Sequence, residues 1–145
     1  MVANYAYIDP SITKDNTEVN VGRRLPGAAK HNTNGWVTYR LQQGSLKGFG
    51  LSGGMQWQVE RYAGLGGAAT ILPDNYFRLD GGVSWQGDHL GVNLLVNNLT
   101  NRYNYSAGAY LPNASVGTSA TAIGSYYNWQ PDAPLNYRLT VGYTF

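Results

Sequence analysis

The chain has 145 residues, ten of them Lys or Arg and eight Asp or Glu, for a formal charge of +2, so no strongly basic surface points to a nucleic-acid partner. It has no cysteine, which excludes a disulfide scaffold and any thiolate metal site. No run of about eighteen apolar residues is available for a membrane-spanning helix, while nineteen glycines, twelve tyrosines and four tryptophans without a helical period describe an all-β chain with many turns.

In chain order, Val2 to Asp9 reads as a first strand with Ala3, Tyr5 and Tyr7 on one face, ended by Pro10, which cannot donate to a ladder. Ser11 to Lys30 is polar and carries the turn-forming Pro26-Gly27, so a long loop is expected. Thr33 to Leu41 follows as a second strand, with Val37, Tyr39 and Leu41 opposite Trp36, Thr38 and Arg40. A short turn over Gln42 to Lys47 leads to the clearest strand, Gly48 to Arg61. There Phe49, Leu51, Met55, Trp57 and Val59 line one face, and Ser52, Gln56, Gln58 and Glu60 the other. Tyr62 to Asn75 is a second loop, rich in glycine. Tyr76 to Trp85 and Leu90 to Asn97 alternate in the same way, joined by the tight turn Gln86-Gly87-Asp88. Leu99 to Leu135 reads as the longest loop, and Asn136 to Phe145 as the sixth strand, with Leu139, Val141, Tyr143 and Phe145 on its apolar face.

Alternation alone fits either a soluble sandwich, apolar face inward, or an inverted barrel, apolar face toward lipid. A strand as long as Gly48 to Arg61 exceeds the usual sandwich strand and suits a membrane, which takes about nine to eleven residues per crossing. The mean hydropathy of −0.34 does not count against lipid, because only every second residue of such a strand meets it. The expected connections run long, short, long, short, long, so the long ones share one end of the sheet, as in outer-membrane barrels. The expected fold is therefore an antiparallel transmembrane β-barrel segment of about six strands. Six are too few to close a barrel, for which about eight is the smallest size. The amino terminus also shows no export signal, so the chain is expected to be a fragment.

Several stretches carry a family resemblance. Gly22-Arg23-Arg24-Leu25-Pro26, Trp36-Val37-Thr38-Tyr39, Gly44 through Gly54, Leu72-Pro73-Asp74-Asn75-Tyr76, Val96-Asn97-Asn98-Leu99-Thr100-Asn101-Arg102-Tyr103 and the closing Tyr137 to Phe145 together resemble the late barrel of TonB-dependent siderophore receptors. The resemblance implies the last six strands of a 22-stranded barrel, in a receptor for ferric siderophores. It also implies energising through the TonB complex, by way of an amino-terminal plug and box that these residues do not include.

Tyr103, Tyr105, Tyr110, Tyr126, Tyr127 and Trp129 crowd the last long connection and are candidates to stack on a flat ferric siderophore; packing of the loop on itself, or a place in the interface belt, is the plainer alternative. Arg23 and Arg24 could attract an anionic chelate, form a solvated turn, or face lipopolysaccharide phosphates beside the outer-membrane lipid. Tyr143 and the terminal Phe145 resemble the signal read by the barrel-assembly machinery, and equally suit an aromatic belt. Arg40, Glu60, Arg78, Asp80 and Arg138 are expected on the polar face. His31 and His89 have no Cys or carboxylate at metal-ligand spacing, and no nucleophile elbow or phosphate loop occurs, so no metal, no cofactor and no catalytic group is expected. A surface adhesin or small structural barrel, and a soluble β-sandwich binding module, are the competing classes.

Overall fold

The structure, a computed structural model, describes residues 1–25, 27–62, 74–115 and 123–145, with backbone alone for 107–115 and 123–128. Eight strands are formed: β1 (Val2–Tyr7), β2 (Ala29–Arg40), β3 (Phe49–Arg61), β4 (Tyr76–Gln86), β5 (Leu90–Asn97), β6 (Tyr105–Ser115), β7 (Ile123–Pro131) and β8 (Asn136–Tyr143). Six of them make one antiparallel sheet in the order β1-β2-β3-β4-β5-β8, and β6 with β7 makes a separate two-stranded ribbon.

The register explains why the sheet holds. Leu51 pairs with Val83, Met55 with Leu79 and Trp57 with Phe77 across β3 and β4, while Val92 pairs with Val141 and Leu94 with Leu139 across β5 and β8. Every strand thus brings its apolar residues to the same face. No second sheet covers that face among the described residues: Leu51 is 64% exposed and Val141 60%, and the buried hydrophobic residues are Ala29 and Tyr76 alone. A sandwich closes its core between two sheets, so the soluble-sandwich alternative fails. An uncovered apolar face of this extent is instead the lipid-facing side of a membrane sheet.

Aromatic residues mark the height of the apolar band. Phe49 and Trp85 pair at one end of β3 and β4 and hold their rings 6.5 Å apart, and Trp57 and Phe77 pair at the other. The span between them is about 20 Å along the membrane normal at ordinary strand rise and tilt, near the height of about 25 Å expected for such a band.

Turns sort by end as the pattern of connections requires. Below the band, Leu41 and Phe49 close a short turn in which Gly48 adopts φ 92°. A Cβ there would stand 2.2 Å from the Gln86 carbonyl, so only glycine lets the first turn pack beside the second. Above the band, the connection between β1 and β2 is folded rather than loose: Ser11 bridges Arg24, and a 3-10 turn spans Glu18–Asn20.

Two expectations are corrected. β2 begins four residues earlier than the alternation suggested, because its first turn of ladder carries Lys30, His31 and Asn32 rather than apolar residues. The long connection expected between Leu99 and Leu135 contains β6 and β7, so the described residues form a two-stranded ribbon in addition to the six-stranded wall sheet. The ribbon departs from the sheet and returns, leaving β5 to pair directly with β8.

Candidate functional site

The three long connections join strand ends at one end of the sheet, and among the described residues the side chains that organise that rim come from β3, β4 and the segment after β5. β5 stops pairing at Gly81, so the upper half of β4 needs another partner. The segment 98–104 supplies it with a backbone bond from Leu99 N to Leu79 O (2.7 Å) and with asparagine side chains.

Asn98 is 1% exposed. Its N–H donates to Asp80 Oδ1 at 2.9 Å, and its Nδ2 donates to the carbonyls of Arg102 and Ala133 at 3.0 and 3.3 Å. Its Oδ1 accepts from Arg102 N at 3.1 Å. Asn98 (φ 55°) and Asn101 (φ 48°) both take the left-handed conformation, which asparagine tolerates better than most residues. Asn101 Oδ1 in turn accepts from Leu135 N at 3.1 Å, and so ties the two ends of the long connection together.

A second knot lies beside it. The Arg61 guanidinium, 2% exposed, donates from Nη2 to the Ser106 carbonyl at 2.8 Å and lies 5.6 Å from the Tyr76 ring. The Tyr76 hydroxyl donates to Asp132 Oδ2 at 2.6 Å. Tyr76 stands at the end of β4 where the long connections leave the sheet, above the apolar band, and burial followed by the Asp132 carboxylate pushes its hydroxyl up to about 12.

Glu60 sits one residue before Arg61 with φ 54°. Its carboxylate lies within reach of Lys30 (3.2 Å), His31 (3.5 Å) and Arg24 (3.8 Å). His31 shares its face with Tyr5 and Tyr7, so the ion cluster caps the lipid-facing aromatic row. Lys30 Nζ donates to Glu60 Oε2 at 3.2 Å.

On the polar face, Asn4, Asn34, Gln56 and Arg78 pair in register across four strands, forming one rung. Asn34 Nδ2 donates to Asn4 Oδ1 at 3.2 Å, and Arg78 Nε donates to Asp80 Oδ2 at 3.1 Å. Trp36 lies below this rung on Gly54, where a Cβ would come within 2.1 Å of Trp36 Cε3. Together they line a shallow cavity of ≈ 200 Å³.

The aromatic candidates are divided by the structure. Tyr105 and Trp129 are brought together at the base of the ribbon, ring centroids 5.8 Å apart. Tyr103 stands apart from them, 85% exposed. Tyr110 pairs with Tyr127, and Leu111 with Tyr126, in the β6–β7 backbone register; the side chains of Tyr110, Tyr126 and Tyr127 lie outside the described residues. Arg24 lies over the Tyr62 ring at 4.3 Å and donates to its hydroxyl, so it is not the solvated turn residue its sequence neighbours suggest. Arg23 is held through its backbone, donating to Asn20 O at 3.1 Å and accepting from Ile12 N at 2.8 Å. At the opposite end of the sheet Tyr143 and Phe145 meet edge to face, 5.2 Å apart. Asn98, Asn104, Arg61 and Asp132 were not singled out as site residues from sequence. The signal was present only as a run of asparagines after β5, whose partners are remote in the chain.

Residues 1–99 match the family model described as TonB dependent receptor-like, beta-barrel. The match covers more than half of the chain and takes in the first five strands of the wall sheet.

Proposed function

The chain belongs to the TonB-dependent receptor-like β-barrel family, and from that premise we propose that it forms the carboxyl-terminal wall and three extracellular connections of an outer-membrane receptor for ferric siderophores. The family consists of transporters of the bacterial outer membrane, not enzymes. In this reading residues 1–145 are the last part of a 22-stranded barrel, and TonB acts through a plug and box that belong to the amino-terminal part of the receptor.

The observation that supports a siderophore is the ribbon β6–β7 at the extracellular rim, with Tyr105 and Trp129 paired at its base. Aromatic rings present large flat faces with few rotatable bonds, so they stack on a flat chelate at low entropic cost. Tyr103, Tyr110, Tyr126 and Tyr127 complete the proposed aromatic surface. Arg23 and Arg24 would draw an anionic chelate to the mouth or face lipopolysaccharide phosphates. Tyr143 and Phe145 at the periplasmic end are the proposed signal for the barrel-assembly machinery, and the apolar face meets outer-membrane lipid.

The test is uptake by a strain lacking this gene. Loss of growth on one class of ferric siderophore as sole iron source, restored by the intact gene and dependent on TonB, supports the reading. Undiminished use of every ferric siderophore, with loss of haem, cobalamin or sugar uptake instead, overturns it.

A further inference from the structure

We propose that the β6–β7 ribbon is a fixed arm whose direction is set by the barrel wall, through Arg61, Tyr76 and Asn104, before any cargo arrives. The inference concerns the ribbon's attachment; its consequence for cargo rests on the siderophore reading above.

A two-stranded ribbon is marginally stable by itself, and nothing internal to it decides which way it points. Here both of its limbs are held at the base by different strands of the wall. On the β6 limb, the Ser106 carbonyl accepts from Arg61 at the top of β3, at 2.8 Å. Beyond the β7 limb, Asp132 accepts from the Tyr76 hydroxyl at the top of β4, at 2.6 Å. Asn104 joins the two limbs, since its carbonyl accepts from Asp132 N at 2.9 Å while its side chain is bound to the Phe77 backbone.

Arg61 and Asn104 are 2% and 3% exposed. A guanidinium is rarely so fully buried; Arg61 donates from Nη2 to the ribbon and sets its Cζ 5.6 Å from the Tyr76 ring centroid, while its buried Nε has no hydrogen-bond partner among the described residues. The wall therefore makes three separate attachments to two limbs. One attachment would allow swivelling; three, from the tops of two wall strands, restrict it. Held in this way, the Tyr105 and Trp129 rings lose little freedom when cargo binds, and preorganisation of that kind strengthens binding by removing an ordering cost.

Double electron–electron resonance in the intact receptor, in outer-membrane vesicles, tests this with nitroxides at Val83→Cys and Gln130→Cys. The wild-type receptor should give one narrow distance distribution without ligand. Tyr76→Phe, which removes a single oxygen, and Arg61→Gln should together broaden it at least twofold. Asp132→Asn keeps an acceptor for the tyrosine and should leave it narrow. Ferric siderophore should then bind the broadened double variant about tenfold more weakly, with maximal uptake unchanged, as expected for a lost ordering advantage. A wild-type distribution that is already broad, or a narrow one that survives the double variant, overturns the proposal. If wild-type receptor binds no ferric chelate, the siderophore reading falls, and the distance distributions still decide the arm.

Discussion

The Asn104 side chain pairs with both backbone groups of Phe77, donating from Nδ2 to the carbonyl at 2.7 Å and accepting at Oδ1 from the N–H at 3.2 Å. An amide carries the same donor and acceptor as a peptide group, so Asn104 stands in for the strand that β4 lacks above Gly81. Asn104→Leu is expected to leave both Phe77 groups buried without partners and to cost about 2–4 kcal/mol. Asn104→Asp keeps the acceptor but turns a carboxylate toward the Phe77 carbonyl, and should cost a similar amount. Urea unfolding in detergent or lipid measures both; an Asn104→Leu receptor as stable as wild type would show the pairing to be incidental.

Gly54 makes room for Trp36. A Cβ at Gly54 would stand 2.1 Å from Trp36 Cε3 and 2.7 Å from the Gly35 carbonyl, so the ring and the neighbouring backbone must both shift to admit it. Overpacking of this kind costs about 1–3 kcal/mol. Gly54→Ala should therefore destabilise the barrel. Adding Trp36→Leu should recover only part of the loss, since the backbone contact remains. Full recovery in the double variant would mean that the clash with the ring is the whole effect.

Tyr76 gives the rim an alkaline limit. Its hydroxyl titrates at about 12 in the folded protein against an ordinary 10, mainly through burial and then through Asp132. A raised value means that the folded state holds the proton longer than the unfolded chain does, so the associated stability is complete below pH 10 and is lost as pH rises through 12. The stability difference between wild type and Tyr76→Phe should accordingly shrink between pH 9 and pH 12. A difference that stays constant over that range would place the tyrosine in water.

Leu139 and Arg138 test the assignment of faces. Leu139 pairs with Leu94 on the apolar face, and Arg138 with Leu95 on the other. Leu139→Arg should cost about 2–4 kcal/mol near mid-membrane, whereas Arg138→Leu should change stability little. Folding yield into vesicles, read by gel mobility with and without heating, separates them. Equal tolerance at both positions would contradict a lipid-facing Leu139.

Deleting Phe145 removes the ring that meets Tyr143 edge to face at 5.2 Å. As an assembly signal, its loss should lower the amount of receptor in the outer membrane several-fold, with the stability of the barrel that does assemble unchanged. If the surviving barrels unfold at lower urea while assembly yield is normal, the ring is a belt residue alone.

Period-two alternation determined the wall by itself. Six strands, their lipid-facing residues and the gathering of long connections at one end follow from which residues recur at every second position, because a pleat has no other way to expose them. β5 was legible to its last residue, Leu90–Asn97. β6 was not: Tyr105-Ser106-Ala107-Gly108-Ala109-Tyr110 lacks a sustained alternation of apolar and polar residues, and no apolar face is demanded of a ribbon that projects beyond the band. Only the tertiary structure could decide the rim. The left-handed Glu60 sends two adjacent charges to different neighbours, Glu60 to Lys30 and Arg61 to Ser106. Asn98, Asn104 and Tyr76 find partners 18 to 56 residues away. Such pairings depend on which strands the sheet sets side by side, and residue spacing along one chain carries no record of that.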